Sequence, residues 1–164
     1  MAAMPSPRRA DLLRHPLGWI ATGFGCGLVP KAPGTFGTLV ALLPWWFLMR
    51  DLSPPVYLAV VLIAFALGVW ASHWAIRRTG IQDPGFVVWD EFVGLWIALW
   101  LLPVGWGWIV AGFVLFRTFD IGKPWLVGWA DRRLHGGFGA MFDDALAGIY
   151  ALLVLQLMAV FLPA

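Results

Sequence analysis

Asp90–Arg117, DEFVGLWIALWLLPVGWGWIVAGFVLFR, is the stretch on which the fold turns. Charges stand only at its ends, and Phe92–Phe116 between them carries none. A membrane-crossing helix needs about 20 mostly apolar residues. As one span, the stretch would put Asp90 and Arg117 on opposite faces of a bilayer. Its middle speaks against that. Pro103, Gly105 and Gly107 stand close together, and such a cluster breaks a helix more often than it kinks one. The stretch is therefore read as a hairpin that breaks at 103–107 and returns both ends to one face.

Outward from the hairpin, the chain keeps the same character. Apolar residues make up 61% and charged residues 12%, against about a quarter charged in an average soluble domain. Twelve tryptophans and twelve phenylalanines suit a chain with many groups at a membrane interface. Three further charge-free stretches, Ala32–Met49, Ser53–Ile76 and Ala145–Ala164, flank the hairpin. The expected fold class is all-α: a polytopic membrane helix bundle with about five segments, near 36–50, 54–76, 86–102, 106–118 and 140–163. The 164 residues suffice for one domain, 16–164, behind a polar N-terminal tail, 1–15. That tail has arginines but no apolar run, so it does not read as a cleavable signal peptide. Cys26 is the single cysteine, which excludes an intramolecular disulfide.

With the N-terminus cytoplasmic, the inner face receives Arg8, Arg9, Arg14, Lys31, Arg77, Arg78, Arg117, Lys123, Arg132 and Arg133. The outer face receives Arg50 alone. Lys and Arg collect on the cytoplasmic side of short loops, so the split supports both the hairpin and the orientation. The expected location is a bacterial inner membrane with the polar cluster facing the cytoplasm.

Seven of the nine acidic residues fall between Asp83 and Asp144, all on that inner side. Carboxylates at membrane depth are costly, so they pair, bind ions or face water. Asp90 and Glu91 open the third segment, and Asp143 and Asp144 open the fifth. Two such pairs at one depth suit a hard divalent cation such as Mg2+, which takes oxygen ligands. Salt bridges to nearby arginines are the plainer reading of any one acid. Asp90, Gly94 and Ala98 share one helical face, and Ala140, Asp144, Gly148 and Ala151 share another. Both faces are small enough for a neighbouring helix to approach closely.

On the cationic side, Arg117, Asp120 and Lys123 are spaced three apart and share a helix face. Lys31 precedes the glycine-rich helix entry PGTFGT, 33–38, where free N–H groups and the helix dipole favour a phosphate. Lys31, Thr35, Arg117, Lys123, Arg132 and Arg133 are the candidate phosphate-binding residues. Asp120, Asp131 and Lys123 are the candidate catalytic ones, and Asp90, Glu91, Asp143 and Asp144 the candidate Mg2+ ligands. His135 in the polar loop either touches phosphate or is solvated, and His73 reads as a packed or paired residue within the second segment.

KAPGTFGT (31–38), VWDEFVG (88–94), FRTFDIGKPW (116–125), DRRLHGG (131–137) and MFDDALAG (141–148) occur in this order, and together they resemble the phosphatidylglycerophosphatase A family. The resemblance runs from about Gly23 to Gly148. It implies a magnesium-dependent membrane enzyme that hydrolyses phosphatidylglycerophosphate to phosphatidylglycerol and inorganic phosphate, in phospholipid biosynthesis. It also implies functional roles for Asp90, Glu91, Arg117, Asp120, Lys123, Asp131, Asp143 and Asp144.

Two mechanisms stay open: attack by water with Asp120 or Asp131 as base, or a covalent aspartyl-phosphate on Asp120. Other phosphatase chemistries fit poorly. The chain lacks a C-x5-R loop at Cys26, a DxD pair and a convincing histidine nucleophile. A phosphatidyl transferase would need DG-x2-AR spacing, which is absent. The alternative from another class is a small ion channel or transporter with an acidic cytoplasmic mouth. The expected partner is the phospholipid substrate and no nucleic acid; oligomeric state is left open.

Overall fold

Proline and glycine punctuate the helices. Pro16, Pro33 and Pro54 open α1 (Pro16–Ala21), α2 (Pro33–Pro44) and α3 (Pro54–Thr79), where a missing N–H costs little. Gly80, at φ 73°, closes α3 by the left-handed turn that glycine makes without penalty. The chain continues through α4 (Trp89–Ala98), α5 (Trp106–Gly122), α6 (Trp125–Arg133) and α7 (Gly136–Phe161). The computed structural model describes residues 9–82, 84–103 and 105–161, and among them there is no strand. The tail residues 1–8 with Arg8, the side chains of Arg9 and Ala10, Asp83, Val104 and residues 162–164 lie outside the described residues.

The hairpin is present. α4 ends at Ala98, the chain reverses through Leu101 at φ 58° and Gly105 at φ 150°, and α5 runs back until Arg117 pairs with Glu91. Its first arm is shorter than 86–102. At 1.5 Å per residue, the ten residues of α4 reach only about 15 Å, half the hydrocarbon thickness of a bilayer. All of α4 but Asp90 and Ile97 is buried. A helix apolar all round belongs in a core, and that is where α4 lies. α3 and α7, with 26 residues each, are the two described helices long and apolar enough to cross a membrane; each reaches about 39 Å. α2 is extended by a π-helical turn, Trp45–Met49, closed by Arg50 N–H donating to Trp45 O at 2.9 Å. Pro44, which has no N–H to give, stands just before it.

α7 is the hub and packs against α3, α4, α5 and α6. The two small-residue faces foreseen in the sequence meet each other. A Cβ on Gly148 would strike the backbone of Gly94, and one on Gly94 would strike the Phe116 ring and come within 2.8 Å of Asp144 O. Neither glycine tolerates a side chain, because α4 and α7 touch backbone to backbone. Aromatic groups with polar edges tie α4 to the rest. Trp96 Nε1 donates to Ala41 O at 2.9 Å, Trp89 Nε1 to Ala64 O at 2.9 Å, and Tyr57 OH to Trp96 O at 2.7 Å. The region expected as a polar tail is docked by its end: Leu12 is fully buried in a cluster with Leu17, Ala71, Ala75 and Phe86. Leucine in a short helical turn gains by leaving water whatever the polarity of its neighbours.

Candidate active site

Four helices bring their charged residues to one end of the bundle. Asp90 and Glu91 lie in the first turn of α4, Arg117 and Asp120 in the last turns of α5, Asp131 near the end of α6, and Asp143 and Asp144 two turns into α7. The hairpin turns α5 back toward the start of α4. The α5–α6 bend turns the chain again at Lys123, whose φ of 44° is left-handed. These acids, Lys123, Gly34, Gln82 and His135 line a cleft of about 280 Å³.

Two cations divide most of the acids. Arg117 Nη1 pairs with Glu91 Oε2 and with Asp120 Oδ2, the latter at 2.6 Å. Lys123 Nζ pairs with Asp131 Oδ1 and, at 3.2 Å, with Asp143 Oδ2. Burial alone would push the Lys123 ammonium down. The hydrogen bond to Asp131 and the charge of Asp143 outweigh it and hold the group above the usual lysine range. Asp90 and Asp144 make no ion pair among the described residues. Asp90 Oδ1 accepts the N–H of Glu91 at 2.9 Å. Asp144, 6% exposed, faces Glu91, Asp90, Asp120 and Asp143. Arg117 Nε is buried without a hydrogen-bond partner.

Six carboxylates therefore line the cleft against Lys123 within it and Arg117 at its wall. Fully ionised, they would leave an excess of four negative charges. A phosphate dianion would be repelled by such a site unless a cation entered with it. The donors are oxygens, which hard divalent ions prefer. Among the described residues no three such side chains form a ready coordination set. A cation held by one or two carboxylates, with water and phosphate completing its shell, fits these residues and is the usual habit of magnesium.

The residues singled out in the sequence divide into two groups. Asp90, Glu91, Asp120, Lys123, Asp131, Asp143 and Asp144 line the cleft, and Arg117 is bonded to two of them. Lys31, Thr35, Arg132 and Arg133 do not line it. Lys31, Arg132 and Arg133 are exposed and Thr35 is half-buried. The glycine-rich entry contributes through Gly34 instead. Thr38, not singled out, donates to Glu91 Oε2 at 2.8 Å. Its signal was present: a hydroxyl one turn beyond Gly34 on an apolar helix needs a buried partner. His135 lines the cleft, and His73, expected to be packed or paired, is exposed on α3.

Fold and site define a small all-helical protein, apolar along its length, with an acidic, cation-bridged cleft at one end. The chain belongs to the phosphatidylglycerophosphatase A family, whose profile matches residues 19–159. It is 44% identical over 150 residues to a protein of Escherichia coli named phosphatidylglycerophosphatase A, covering 87% of each chain. A protein of the same name from Haemophilus influenzae is 41% identical over 150 residues, covering 91% of this chain and 92% of its own. A Bacteroides thetaiotaomicron protein named putative phosphatidylinositol-3-phosphatase is 43% identical over 144 residues, covering 83% and 89%. No solved structure matches.

Proposed function

We propose that this chain hydrolyses the phosphate monoester of phosphatidylglycerophosphate, releasing phosphatidylglycerol and inorganic phosphate, as the names of its Escherichia coli and Haemophilus influenzae relatives state for them. The observation that carries the reading is the gathering of Asp90, Asp120, Asp143 and Asp144 with Lys123 in one cleft, beside the ion-paired Arg117. Water attacks phosphorus, the bond from phosphorus to the glycerol oxygen breaks, and the alcohol leaves with a proton. Asp120 and Asp131 are the bases within reach of the cleft, and either can take the proton of the attacking water. Lys123 and Arg117 supply positive charge to phosphate oxygens as charge moves onto them. Attack by Asp120 itself, giving an aspartyl-phosphate that water then cleaves, uses the same groups.

Magnesium is part of the proposal. Asp90 and Asp144 would hold it, being the two carboxylates of the cleft without an ion pair among the described residues, with Asp143 and Glu91 beside them. When bound, it supplies charge neutralisation to the phosphate oxygens. The membrane arrangement is proposed as well: α3 and α7, the two described helices of membrane length, cross a bacterial inner membrane, the shorter α2, α4 and α5 make up the rest of the five segments, and the cleft faces the cytoplasm. A lipid phosphate then enters sideways with its tails in hydrocarbon, and its headgroup meets the cleft where water is at hand.

The Bacteroides relative, at nearly the same identity, carries the name of a different lipid phosphatase, so the headgroup beyond the phosphate must be measured. Purified protein in detergent is to be given phosphatidylglycerophosphate, phosphatidylinositol 3-phosphate and phosphatidate, each with magnesium and with chelator. Magnesium-dependent release, fastest from phosphatidylglycerophosphate, is expected. No release from any of the three by folded protein would overturn the reading. Faster release from phosphatidylinositol 3-phosphate would move it to the other headgroup.

A further inference from the structure

We infer that Thr38 is a positioning residue for the hydrolysis, acting through Glu91 on Arg117 and Asp120; this rests on the phosphatase reading above. Thr38 lies on α2, one turn past Gly34, and is fully buried. Its hydroxyl oxygen stands 2.8 Å from Glu91 Oε2 and 2.9 Å from Gly34 O. The hydroxyl has one proton for these two acceptors. The carbonyl of Gly34 is already served by the helix, whereas the carboxylate is charged and makes the stronger bond. The proton therefore belongs to Glu91.

The other oxygen of Glu91 is confined by shape. A Cβ on Gly34 would run into Glu91 Oε1 and come within 3.4 Å of Arg117 Nη1. One carboxylate oxygen is thus bonded twice, by Thr38 and Arg117, while the other lies against a bare Cα. Glu91, 8% exposed, is fixed in rotation about a torsion that is otherwise broad. Its role is to hold Arg117 Nη1, which donates onward to Asp120 Oδ2 at 2.6 Å. A relay runs from α2 through α4 and α5 to Asp120 at the cleft. Reacting groups displaced by about 1 Å lose much of their rate, and Thr38 is the one neutral donor in the relay.

The test compares the purified full chain with Thr38→Val, which keeps the shape and removes the donor, and Thr38→Ser, which keeps the donor. With phosphatidylglycerophosphate and magnesium, Thr38→Val should lower kcat roughly tenfold with KM changed less than about twofold. Thr38→Ser should stay within about threefold of the parent. A Thr38→Val enzyme with parental kcat would overturn the inference, and so would a Thr38→Ser enzyme as impaired as Thr38→Val. Thermal midpoints of Thr38→Val, Glu91→Gln and the double variant form a cycle that needs no activity. Coupling is expected, and purely additive shifts would remove the contact. A parent that releases no phosphate would thus sink the phosphatase reading, while the cycle would still decide on Thr38 and Glu91.

Discussion

Lys123 bonds Asp131 of α6 and Asp143 of α7 from a backbone position, φ 44°, that non-glycine residues rarely adopt. Strain of this kind persists only where the surroundings impose it; here two carboxylates on two helices do so. Replacing Lys123 by methionine should cost about 10²-fold in kcat, the scale of one lost charge-stabilising donor, measured as phosphate release. The same ammonium sets a pH expectation. Its value in the fold lies above that of an exposed lysine, about 10.4. A raised group contributes stability in full below the unfolded value and loses it only as pH climbs through the folded one. The gap in thermal midpoint between parent and Lys123→Met should therefore stay constant from about pH 7 to about pH 10. A gap closing by about pH 9 would mean that the bridge does not hold the proton. Asp144 makes the opposite case, a carboxylate that faces four others against the single charge of Arg117 and has no ion pair of its own among the described residues. Asp144→Asn removes repulsion, so in chelator its midpoint should rise by a few degrees, while phosphate release falls by about 10²-fold. A fall in both would show that Asp144 is needed for the fold itself.

The pairing of α4 with α7 is written in glycine. Gly148→Leu would drive a side chain into the backbone of Gly94 and should cost about 3 kcal/mol or unfold the protein. Gly107→Ala, in the first turn of α5 with nothing within 4 Å of its would-be Cβ, should instead stabilise by about 0.5 kcal/mol. Thermal or denaturant unfolding in one detergent measures both, and equal effects would deny that close approach is what Gly148 provides. These faces were legible in the sequence because a spacing of three and four is geometry that a helix cannot alter. The hairpin was legible for a similar reason, since Pro103 with Gly105 and Gly107 close behind it breaks a helix more often than it kinks one. The shortness of α4 was not: buried in protein, it has no need to match a bilayer, and hydropathy alone does not separate a core helix from a span. Thr38 was passed over for Thr35 because its partner, Glu91, lies 53 positions away, and no local spacing reports such a contact. Arg132 and Arg133 were singled out by charge, and their helix leaves them exposed and outside the lining of the cleft.

Across the whole molecule, charge is polarised along the helix axes. α2 begins at the cleft with Gly34 and its π turn leads to Arg50 at the far end; α5 begins at Trp106 and reaches the cleft at Arg117 and Asp120. Arg50 has its neighbour Asp51 as ion partner and lies 4.0 Å over the Trp46 ring, which itself stacks on Trp106. Arginine, tryptophan and acid clustered at the end of apolar helices suit the polar edge of a bilayer, while Arg77 and Arg78 stand at the other end of α3. An asymmetry of basic residues biases orientation in a membrane, and single-cysteine labelling tests the orientation proposed above directly. The background is Cys26→Ser, which removes the one native thiol, half-buried and pushed up by that burial. Into it go Asp51→Cys and Arg78→Cys, both at exposed positions. In intact bacterial cells a membrane-impermeant maleimide should label Asp51→Cys and leave Arg78→Cys untouched until the cells are broken. The reverse pattern would invert the orientation and put the cleft outside, away from a cytoplasmic supply of lipid phosphate. Labelling of both from the same side would mean that α3, for all its length, does not cross.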